Sequence, residues 1–595
     1  MIPLAVVHRV SIPAPATHLV HVETTLSAGA ALPDSIVAAM PVWTPGSYLV
    51  REYARHVEGF QADPPALAAK VRKNAWQLRT GGATRVVFRY RVYAAEMTVR
   101  TSHVDESHAF LVGAALFFAI EGYEDRGARI YLTVPTGWRV ATALPAASNP
   151  ADGDTWCFES PDFDTLVDSP IEIGTHREER FEVRGKPHRY AVVPADAIGD
   201  ADVRRLVDDT KTINETEANF FGGDLPYENY ELLLHLAQRG RGGLEHCNGA
   251  AFVAPAASFA TRDAYLDLLS LVAHEVFHAW NIKRIRPEGL TPYRYGDECY
   301  TRLLWWFEGG TSYYDWRTLV LARLCTIDEY LDHLASEIAY LDQTPGKFIQ
   351  TLEEASYDAW IKLYRPDENS ANSSISYYRK GEVVCALFDL EIAARTAGRA
   401  NLDAVLAHLW QRYGLREEPV PENGLQAVFE EVAHVPLGDL FDSWIRGVSE
   451  IDYAETLAHV GLTLDRAARA EAPDCSLGVR LRLDGGRVVV TSTVRDSGAW
   501  RAGIAAGDEI IAVAGVRVDA ANLDGVLRGR AAGQRVDVTL ARNGCLALKE
   551  VTLDPPRLDR VRVVARADAP PVAREAFAAW LGQPFPAASR AKAAP

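Results

Sequence analysis

Two histidines and a glutamate near the middle of the chain have the spacing of a metal-binding motif. The segment LVAHEVFHAW places His274, Glu275 and His278 in an H-E-x-x-H pattern. On an α-helix, residues four positions apart lie side by side, so both imidazoles can reach one metal ion. Glu275 then lies next to that ion, where its carboxylate can act as general base on a metal-activated water. The pattern therefore indicates hydrolytic chemistry.

A third metal ligand is available in a second apolar segment, LLWWFEGGTSYYD, which contains Glu308. Residues 264–280 contain neither Pro nor Gly and are rich in Leu, Ala and Val, which favours a helix around the motif. Two histidines and one glutamate form a ligand set that leaves zinc a position for water. We therefore predict one zinc ion (Zn2+) per chain, held by His274, His278 and Glu308. The alternative is that the histidines are structural core residues and Glu308 forms a cap or an ion pair, but burying these groups without a metal would be costly.

A glycine-rich turn follows the apolar run at 231–236 and leads into Gly242, Gly243 and Leu244. The run is typical of a strand, and glycines beside a strand let another backbone approach closely. An edge strand of this kind can pair with an extended peptide. We predict that these residues bind a peptide substrate. The alternative is a simple turn, followed by an exposed glutamate at position 245.

The segments around the motif resemble a known family. HEVFHAWNIKRIRP and YTRLLWWFEGGTSYYD are similar to the glycyl aminopeptidase family of zinc peptidases, which are relatives of aminopeptidase N within the glutamate-liganded zincins. The amino-terminal PVWTPGSYLVREYARHV and a carboxy-terminal PDZ-like region extend the resemblance over most of the chain. The resemblance implies a zinc aminopeptidase that removes one residue, with Gly, Ala or another small residue preferred, from the amino terminus of a peptide.

The same resemblance implies roles for two further side chains. In the aminopeptidase N relatives, the glutamate of a G-x-x-E element holds the free ammonium of the substrate, and Glu245 matches that position. The Y-x-K-G arrangement at Tyr378 is similar to the element whose tyrosine hydroxyl stabilises the tetrahedral intermediate. Tyr377 is the alternative, because the two tyrosines are adjacent. A structural interpretation of both is a pair of amphipathic aromatics at the entrance of a helix.

Two features of the sequence remain without a definite assignment. Asp297, Glu298 and Asp315 are each suitable to orient a metal-binding histidine through its second ring nitrogen, and the sequence does not choose among them. The stretch PVWTPGSYLVRE at residues 41–52 matches the family pattern, but no mechanism follows from its residues.

Periodicity predicts a multidomain α+β chain with four regions. Residues 1–170 alternate as strands, as in Arg85 to Tyr93, and predict an antiparallel β-sandwich. Residues 171–455 carry the motif, and the resemblance implies a thermolysin-like catalytic domain with an α-helical subdomain. Residues 456–560 resemble a PDZ domain around GDEIIAVAGVRV, and residues 561–595 form a tail with one short helix.

The amino-acid composition limits the ligands and the cellular compartment that we expect for this protein. A net charge of −17 argues against nucleic acid as a ligand, because a polyanion would be repelled. No run of eighteen apolar residues occurs, so we expect no membrane span. The start of the chain lacks the pattern of a secretory signal, and the seven cysteines are scattered, so a cytoplasmic protein with free thiols is expected. A mature periplasmic chain would look the same.

Three functions are compatible with these patterns. The first is an aminopeptidase acting on peptides with a free amino terminus. The second is an endopeptidase that uses the same zinc site without Glu245. The third is a non-catalytic scaffold whose PDZ-like region binds peptide carboxyl termini near Leu477, Gly478 and Val479. The presence of Glu275, which a scaffold would not need, favours an enzyme.

Overall fold

The computed structural model describes residues 3–63, 67–147, 153–469, 472–519 and 522–586. The chain divides into two compact units. The first unit comprises Met1–Thr301, Tyr314–Leu324 and Leu406–Leu425. The second unit comprises Arg302–Tyr313, Cys325–Val405 and Gln426–Pro595.

The amino-terminal part of the first unit is β-rich, as predicted, and its described residues form three sheets. The first has six strands in the spatial order Thr155–Ser160, Ala128–Thr133, Leu4–Ser11, Leu19–Ala28, Arg85–Tyr93 and Val57–Asp63. The second has the order Arg139–Thr142, Ile171–Gly174, His108–Leu111, Thr101–Val104 and Ala95–Thr98. The third has the order Ala119–Ile120, Ser35–Ala39, Ala75–Arg79 and Ala68–Arg72. Short helices lie at Gly113–Leu116 and Phe163–Val167.

Strands of the first sheet show the predicted alternation of buried and exposed residues. The direction of one strand pair differs from the prediction. Along Leu19–Ala28 every second residue is buried, which is the period of a strand with one face in the core. The predicted strand from Arg85 to Tyr93 has these same bounds. The sheet is not purely antiparallel, because Leu4–Ser11 pairs in parallel with Ala128–Thr133. Strands far apart in sequence can pair in either direction, and alternation alone does not specify which.

A mixed sheet forms the base of the catalytic region. Its order is Arg177–Val183, Lys186–Val193, Tyr230–Ala237, Gly249–Pro255 and Gly242–His246. The three central strands are parallel, and helix Asp200–Phe220 makes the crossover between the first two of them. Gly242–His246, hereafter the edge strand, runs antiparallel to Gly249–Pro255 and is the last strand of the sheet. Helix Arg262–Phe277, hereafter the motif helix, follows.

Helices dominate the rest of the catalytic region. They lie at Leu304–Phe307, Gly309–Leu321, Ile327–Asp342, Leu352–Tyr357, Ser370–Ser373, Tyr377–Arg395, Leu402–Arg412, Leu425–Ala433, Gly438–Leu440, Phe441–Ile445 and Tyr453–Ala458. Helix Tyr377–Arg395, hereafter the tyrosine helix, begins at the first of the two adjacent tyrosines. The side chain of Ser376 accepts a hydrogen bond from the Arg379 amide and caps this start.

The PDZ region in the second unit has its own sheet and core. The strand order is Val479–Asp484, Arg487–Thr493, Glu509–Val513, Arg535–Arg542 and Cys545–Thr552, and Val516–Arg517 pairs with Glu509–Val513. Short helices lie at Gly498–Arg501 and Leu523–Leu527.

Outside this sheet, Leu462–Ala467 pairs with Arg560–Ala565. The predicted tail helix spans Pro571–Leu581, and the indole of Trp580 donates to the Tyr313 hydroxyl at 2.9 Å.

Two expectations from composition concern the whole chain. In the part of the chain that the structure describes, no helix is long and apolar enough to cross a membrane. All seven cysteines lie in that part and carry free thiols.

Candidate active site

The H-E-x-x-H motif occupies the last turn of the motif helix. Thr261 caps the start of this helix by accepting a hydrogen bond from the Ala264 amide. The His278 amide donates to the His274 carbonyl at 3.3 Å, which is the i to i+4 bond of an α-helix. The two imidazole centroids are 4.6 Å apart, and one nitrogen of each ring lies within 4.8 Å of the other. Both rings therefore face one point in space, as the spacing predicted.

Each of the two histidines is oriented through its Nδ1 atom. Nδ1 of His274 lies 3.1 Å from Oδ2 of Asp315, and Nδ1 of His278 lies 2.8 Å from the Asn281 carbonyl oxygen. A neutral imidazole that donates through Nδ1 has its lone pair on Nε2. Of the three carboxylates that the sequence offered for this purpose, the structure places Asp315 at His274. A backbone carbonyl does the same for His278.

Glu275 is buried and lies against the backbone of the edge strand. A Cβ atom built on Gly243 would be 2.0 Å from Oε1 of Glu275, so only glycine leaves room for the carboxylate there. One side-chain ligand atom from each of Glu245, Glu275 and His278 lies within 4.8 Å of the others. The predicted general base and the predicted ammonium-binding residue are thus neighbours, and both are at most 5% exposed.

Glu245 in turn lies against the turn of residues 41–52, whose role could not be inferred from its sequence. A Cβ atom built on Gly46 would be 2.4 Å from both carboxylate oxygens of Glu245. Gly46 also has a φ of +83°, a conformation that favours glycine. The indole of Trp43 donates to the Arg294 carbonyl at 2.9 Å and anchors this turn. The stretch therefore forms the wall on which the Glu245 carboxylate rests.

A buried ion pair behind Glu245 was missed by sequence reasoning. Oδ1 of Asp168 lies 2.7 Å from the Lys283 ammonium and 3.2 Å from Nδ1 of His246, while Oδ2 accepts from the Cys247 amide at 2.7 Å. Burial alone would raise the pKa of Asp168, but the Lys283 ammonium and the hydrogen bond with His246 hold it well below its usual value. One carboxylate therefore fastens the end of the edge strand to the loop after the motif helix.

Glu217 is a second residue that the sequence analysis did not single out. It lies on helix Asp200–Phe220 and is fully buried. Burial and the nearby charge of Asp315 raise the pKa of Glu217 well above its usual value, although His274 opposes this shift. The sequence does contain a signal, because Glu217 follows Val203, Leu206, Thr210 and Ile213 at helical spacing on the buried face of this helix. A carboxyl group at such a position indicates a special environment.

In the second unit, Glu308 and the two predicted tyrosines form another group, in which Glu308 and Tyr377 are buried. Glu308 is 2% exposed and directly precedes helix Gly309–Leu321. Burial raises the pKa of both Tyr377 and Tyr378 well above the usual value, and the negative charge of Glu308 adds to this shift. The Tyr378 hydroxyl is 3.4 Å from that of Tyr364. Tyr377 is fully buried, whereas Tyr378 is partly exposed.

Two glycines bring this group together. A Cβ atom built on Gly309 would be 2.6 Å from the Gly381 Cα atom, and one built on Gly381 would be 2.9 Å from the Gly309 Cα atom. The backbones of the two helices therefore touch directly at this point. This contact explains why glycine follows Glu308 in FEGG and ends the Y-x-K-G arrangement, since any side chain would push Glu308 and the tyrosines apart.

The β-rich domain, the catalytic region and the PDZ region each match a protein-family model. Residues 8–175 match the peptidase M61 N-terminal domain, and residues 267–384 match the M61 glycyl aminopeptidase family. Residues 475–553 match the PDZ domain. These matches confirm the predicted resemblance to the glycyl aminopeptidase family and mark the chain as a peptidase.

The chain is also similar to solved structures. The chain is similar to an aminopeptidase N family protein from Idiomarina loihiensis, with 26% identity and a TM-score of 0.88 over 97% of this chain and 100% of that one. An M1 zinc metallopeptidase from Deinococcus radiodurans is 14% identical, with a TM-score of 0.46 over 76% of this chain and 95% of that one. No curated protein sequence matches the chain.

Proposed function

We propose that this protein is a zinc-dependent aminopeptidase that removes an amino-terminal Gly, Ala or other small residue from peptides. The observation that carries the proposal is the cluster of Glu245, Glu275 and His278, whose ligand atoms lie within 4.8 Å of one another in a buried position. A carboxylate suited to bind an ammonium group thus lies beside one suited to move a proton. This arrangement suits cleavage next to a free amino terminus.

The side chains present fit a zinc ion. His274 and His278 offer nitrogens on one face, with both Nδ1 atoms already committed to acceptors. Glu308 is buried and directly precedes the helix that carries Asp315, the partner of His274. Two imidazoles and one carboxylate suit a catalytic zinc site with one ion per chain. Zinc, when bound, lowers the pKa of a water molecule to about 7 and polarises a carbonyl group.

The chain's own residues supply the remaining steps. Glu275 takes the proton of the attacking water and passes it to the departing amine, acting as base and then as acid. The Tyr378 hydroxyl donates a hydrogen bond to the oxyanion. Gly242, Gly243 and Leu244 pair with the substrate backbone along the outer side of the edge strand. Glu245 binds the ammonium group of the substrate. Only the first residue of the substrate then fits between Glu245 and the bond that is cleaved.

The two tyrosines should differ in their effect on turnover. Tyr378→Phe is expected to lower kcat on an alanyl anilide by about 10²- to 10³-fold, the usual effect of losing one donor to an oxyanion. Tyr377→Phe is the matched control, because this fully buried side chain has no surface with which to touch a substrate. It should leave kcat close to the wild-type value. The reverse pattern would assign the oxyanion to Tyr377.

Two adjacent glycines of the edge strand provide a test of how Glu275 is positioned. Gly243→Ala is expected to lower kcat by about 10²-fold, because the new Cβ atom must displace a carboxylate that lies 2.0 Å away, and such misplacement is costly. Gly242→Ala is the control, since its Cβ atom would meet nothing closer than the Arg100 guanidinium at 3.4 Å. If both variants keep the wild-type kcat, the position of Glu275 does not depend on the edge strand.

The proposal is tested by comparing alanyl anilide with its N-acetylated form. Wild-type protein should prefer the free amine by about 10²-fold or more in kcat/KM, because a buried charge pair contributes roughly 2–5 kcal/mol. Glu245→Ala should remove most of that preference by slowing cleavage of the free amine alone. If wild-type protein cleaves the acetylated form, or internal peptide bonds, equally well, the enzyme is an endopeptidase.

We also propose that the PDZ region takes a peptide carboxyl terminus. Val479–Asp484 is the end strand of its sheet, so its outer edge is suited to pair with an added strand. A groove beside it, next to helix Leu523–Leu527, has a charged lining of Arg469, Arg480, Arg482, Arg557, Asp524 and Asp559. The four guanidinium groups outnumber the two carboxylates, which favours a ligand with negative charge near its end. This binding would add to the peptidase activity without replacing it.

A further inference from the structure

A second cluster of histidines and carboxylates lies on a hairpin of the β-rich domain, outside the candidate active site. Strands Thr101–Val104 and His108–Leu111 form this hairpin, with Asp105 in its turn. One ligand atom from each of His103, Asp105 and His108 lies within 4.8 Å of the others. We infer that this H-x-D-x-x-H hairpin is a metal site that takes a divalent cation with the ligand preferences of zinc.

The hydrogen bonds of His103 call for a cation. Its Nδ1 atom is 3.1 Å from the Ala95 carbonyl oxygen, which can only accept, so Nδ1 carries a proton. Its Nε2 atom faces Oδ2 of Asp105 at 3.2 Å. If the imidazole is neutral, the lone pair on its Nε2 atom points at the negatively charged Asp105 carboxylate, and the two repel each other. Only a second proton on the ring or a metal ion between the two groups removes this repulsion.

The distance between these two atoms leaves room for a metal ion. A charge-assisted N–H···O bond is usually about 2.7–2.9 Å long. Two ligands of a tetrahedral zinc, with bonds of about 2.0–2.1 Å, lie about 3.3 Å from each other. The observed 3.2 Å between His103 Nε2 and Asp105 Oδ2 is the separation that two ligands of one such ion require. Oδ1 of Asp105 accepts from the amides of Ser107 and His108 at 2.7 and 3.1 Å, which holds the turn and aims Oδ2 at His103.

His108 is oriented as a metal ligand by a buried carboxylate. Its Nδ1 atom lies 3.1 Å from Oε1 of Glu172, whose side chain is 0% exposed. Oε2 of Glu172 lies 2.9 Å from Nε2 of His235, which fixes the carboxylate from the other side. A proton on Nδ1 of His108 leaves the lone pair on Nε2. A histidine backed by a carboxylate in this way is the common arrangement at metal sites.

The site is open enough to exchange its ion. The side chain of Asp105 is 39% exposed and that of His103 is 12% exposed, so water can reach the cation and complete its coordination. Among the described residues, the ion partners of Asp105 and Glu172 are histidines only, and no lysine or arginine neutralises either carboxylate. Imidazole with carboxylate is a ligand set for zinc and related divalent ions.

Titration of metal-free, full-length protein with zinc chloride tests the inference, with calorimetry as the readout. His103→Gln and Asp105→Asn should each bind one equivalent fewer than wild-type protein. Asn keeps the oxygen that holds the turn, so a loss of zinc in Asp105→Asn does not come from unfolding. His21→Gln, on strand Leu19–Ala28 of the same domain, is the matched control and should bind as wild type does.

A variant of the candidate active site separates the two sites. His278→Gln should still bind the equivalent assigned to the hairpin, and adding Asp105→Asn should remove it. His103→Gln alone should leave cleavage of alanyl anilide unchanged, so the result does not depend on the proposed peptidase activity. The inference is overturned if His103→Gln and Asp105→Asn bind as much zinc as wild type, or if His278→Gln binds none.

Discussion

Glu275→Gln is expected to lower kcat on alanyl anilide by about 10²- to 10⁴-fold, the range that general acid–base catalysis contributes. The amide has the shape of the carboxylate and fits the same space against Gly243, but it cannot take a proton from water. The zinc content should equal that of wild-type protein, because Glu275 is not a proposed ligand. Steady-state kinetics and metal analysis of the same preparation measure both quantities.

The control for Glu275→Gln lies on the same helix. Asp267→Asn removes a carboxylate that faces solvent and pairs with Arg241 at 2.8 Å. An exposed pair contributes about 1 kcal/mol or less, so activity should stay near the wild-type level. A Glu275→Gln protein that retains more than about a tenth of wild-type kcat would remove Glu275 from proton transfer, because even weak general-base catalysis contributes about 10²-fold.

Glu308→Gln is expected to abolish activity by a different route, through loss of one equivalent of zinc. An amide oxygen carries no charge and is a poorer ligand than a carboxylate. Losing a hydrogen bond outside the ligand set costs about 10- to 100-fold in metal affinity, and loss of a ligand should cost more. Zinc affinity measured by competition with a chromogenic chelator checks this, and wild-type protein stripped by a strong chelator should show the same lack of turnover.

Glu391→Gln is the matched control for Glu308→Gln. Glu391 is also a buried carboxylate of the second unit, at 9% exposure, but it pairs with the Arg395 guanidinium at 3.2 Å. The zinc affinity of the Glu391→Gln protein should equal that of wild-type protein. Undiminished zinc affinity in Glu308→Gln would show that Glu308 is not the third ligand, while the roles of Glu275 and Glu245 would be unaffected.

The parts of the candidate site that the sequence predicted are those set by local periodicity. A helix around His274 and His278 follows from the absence of Pro and Gly and from the apolar residues that surround them. The edge strand follows from a buried apolar run next to paired glycines. In both cases the determining interactions lie within a few residues of each other, and the structure gives a helix at Arg262–Phe277 and a strand at Gly242–His246.

The parts that the sequence did not predict depend on contacts between distant segments. Gly46 lies under Glu245, and Asp168 binds Lys283, but neither pair has a spacing that periodicity can detect. The choice of Asp315 as the partner of His274 also required the fold. Glu217 is different, because its helical spacing from apolar residues was visible in the sequence.

The buried ion pair of Asp168 joins the amino-terminal region to the catalytic region. Asp168 belongs to the region predicted as the amino-terminal domain, yet it fastens Lys283 and His246 of the catalytic region. Gly46 supports Glu245 from the same domain, and Arg100 donates to the Gly243 carbonyl at 3.2 Å. One hydrophobic core also includes Val104 and Leu244. The catalytic region is therefore not an exchangeable module, and recombination between relatives would have to transfer both regions as one block.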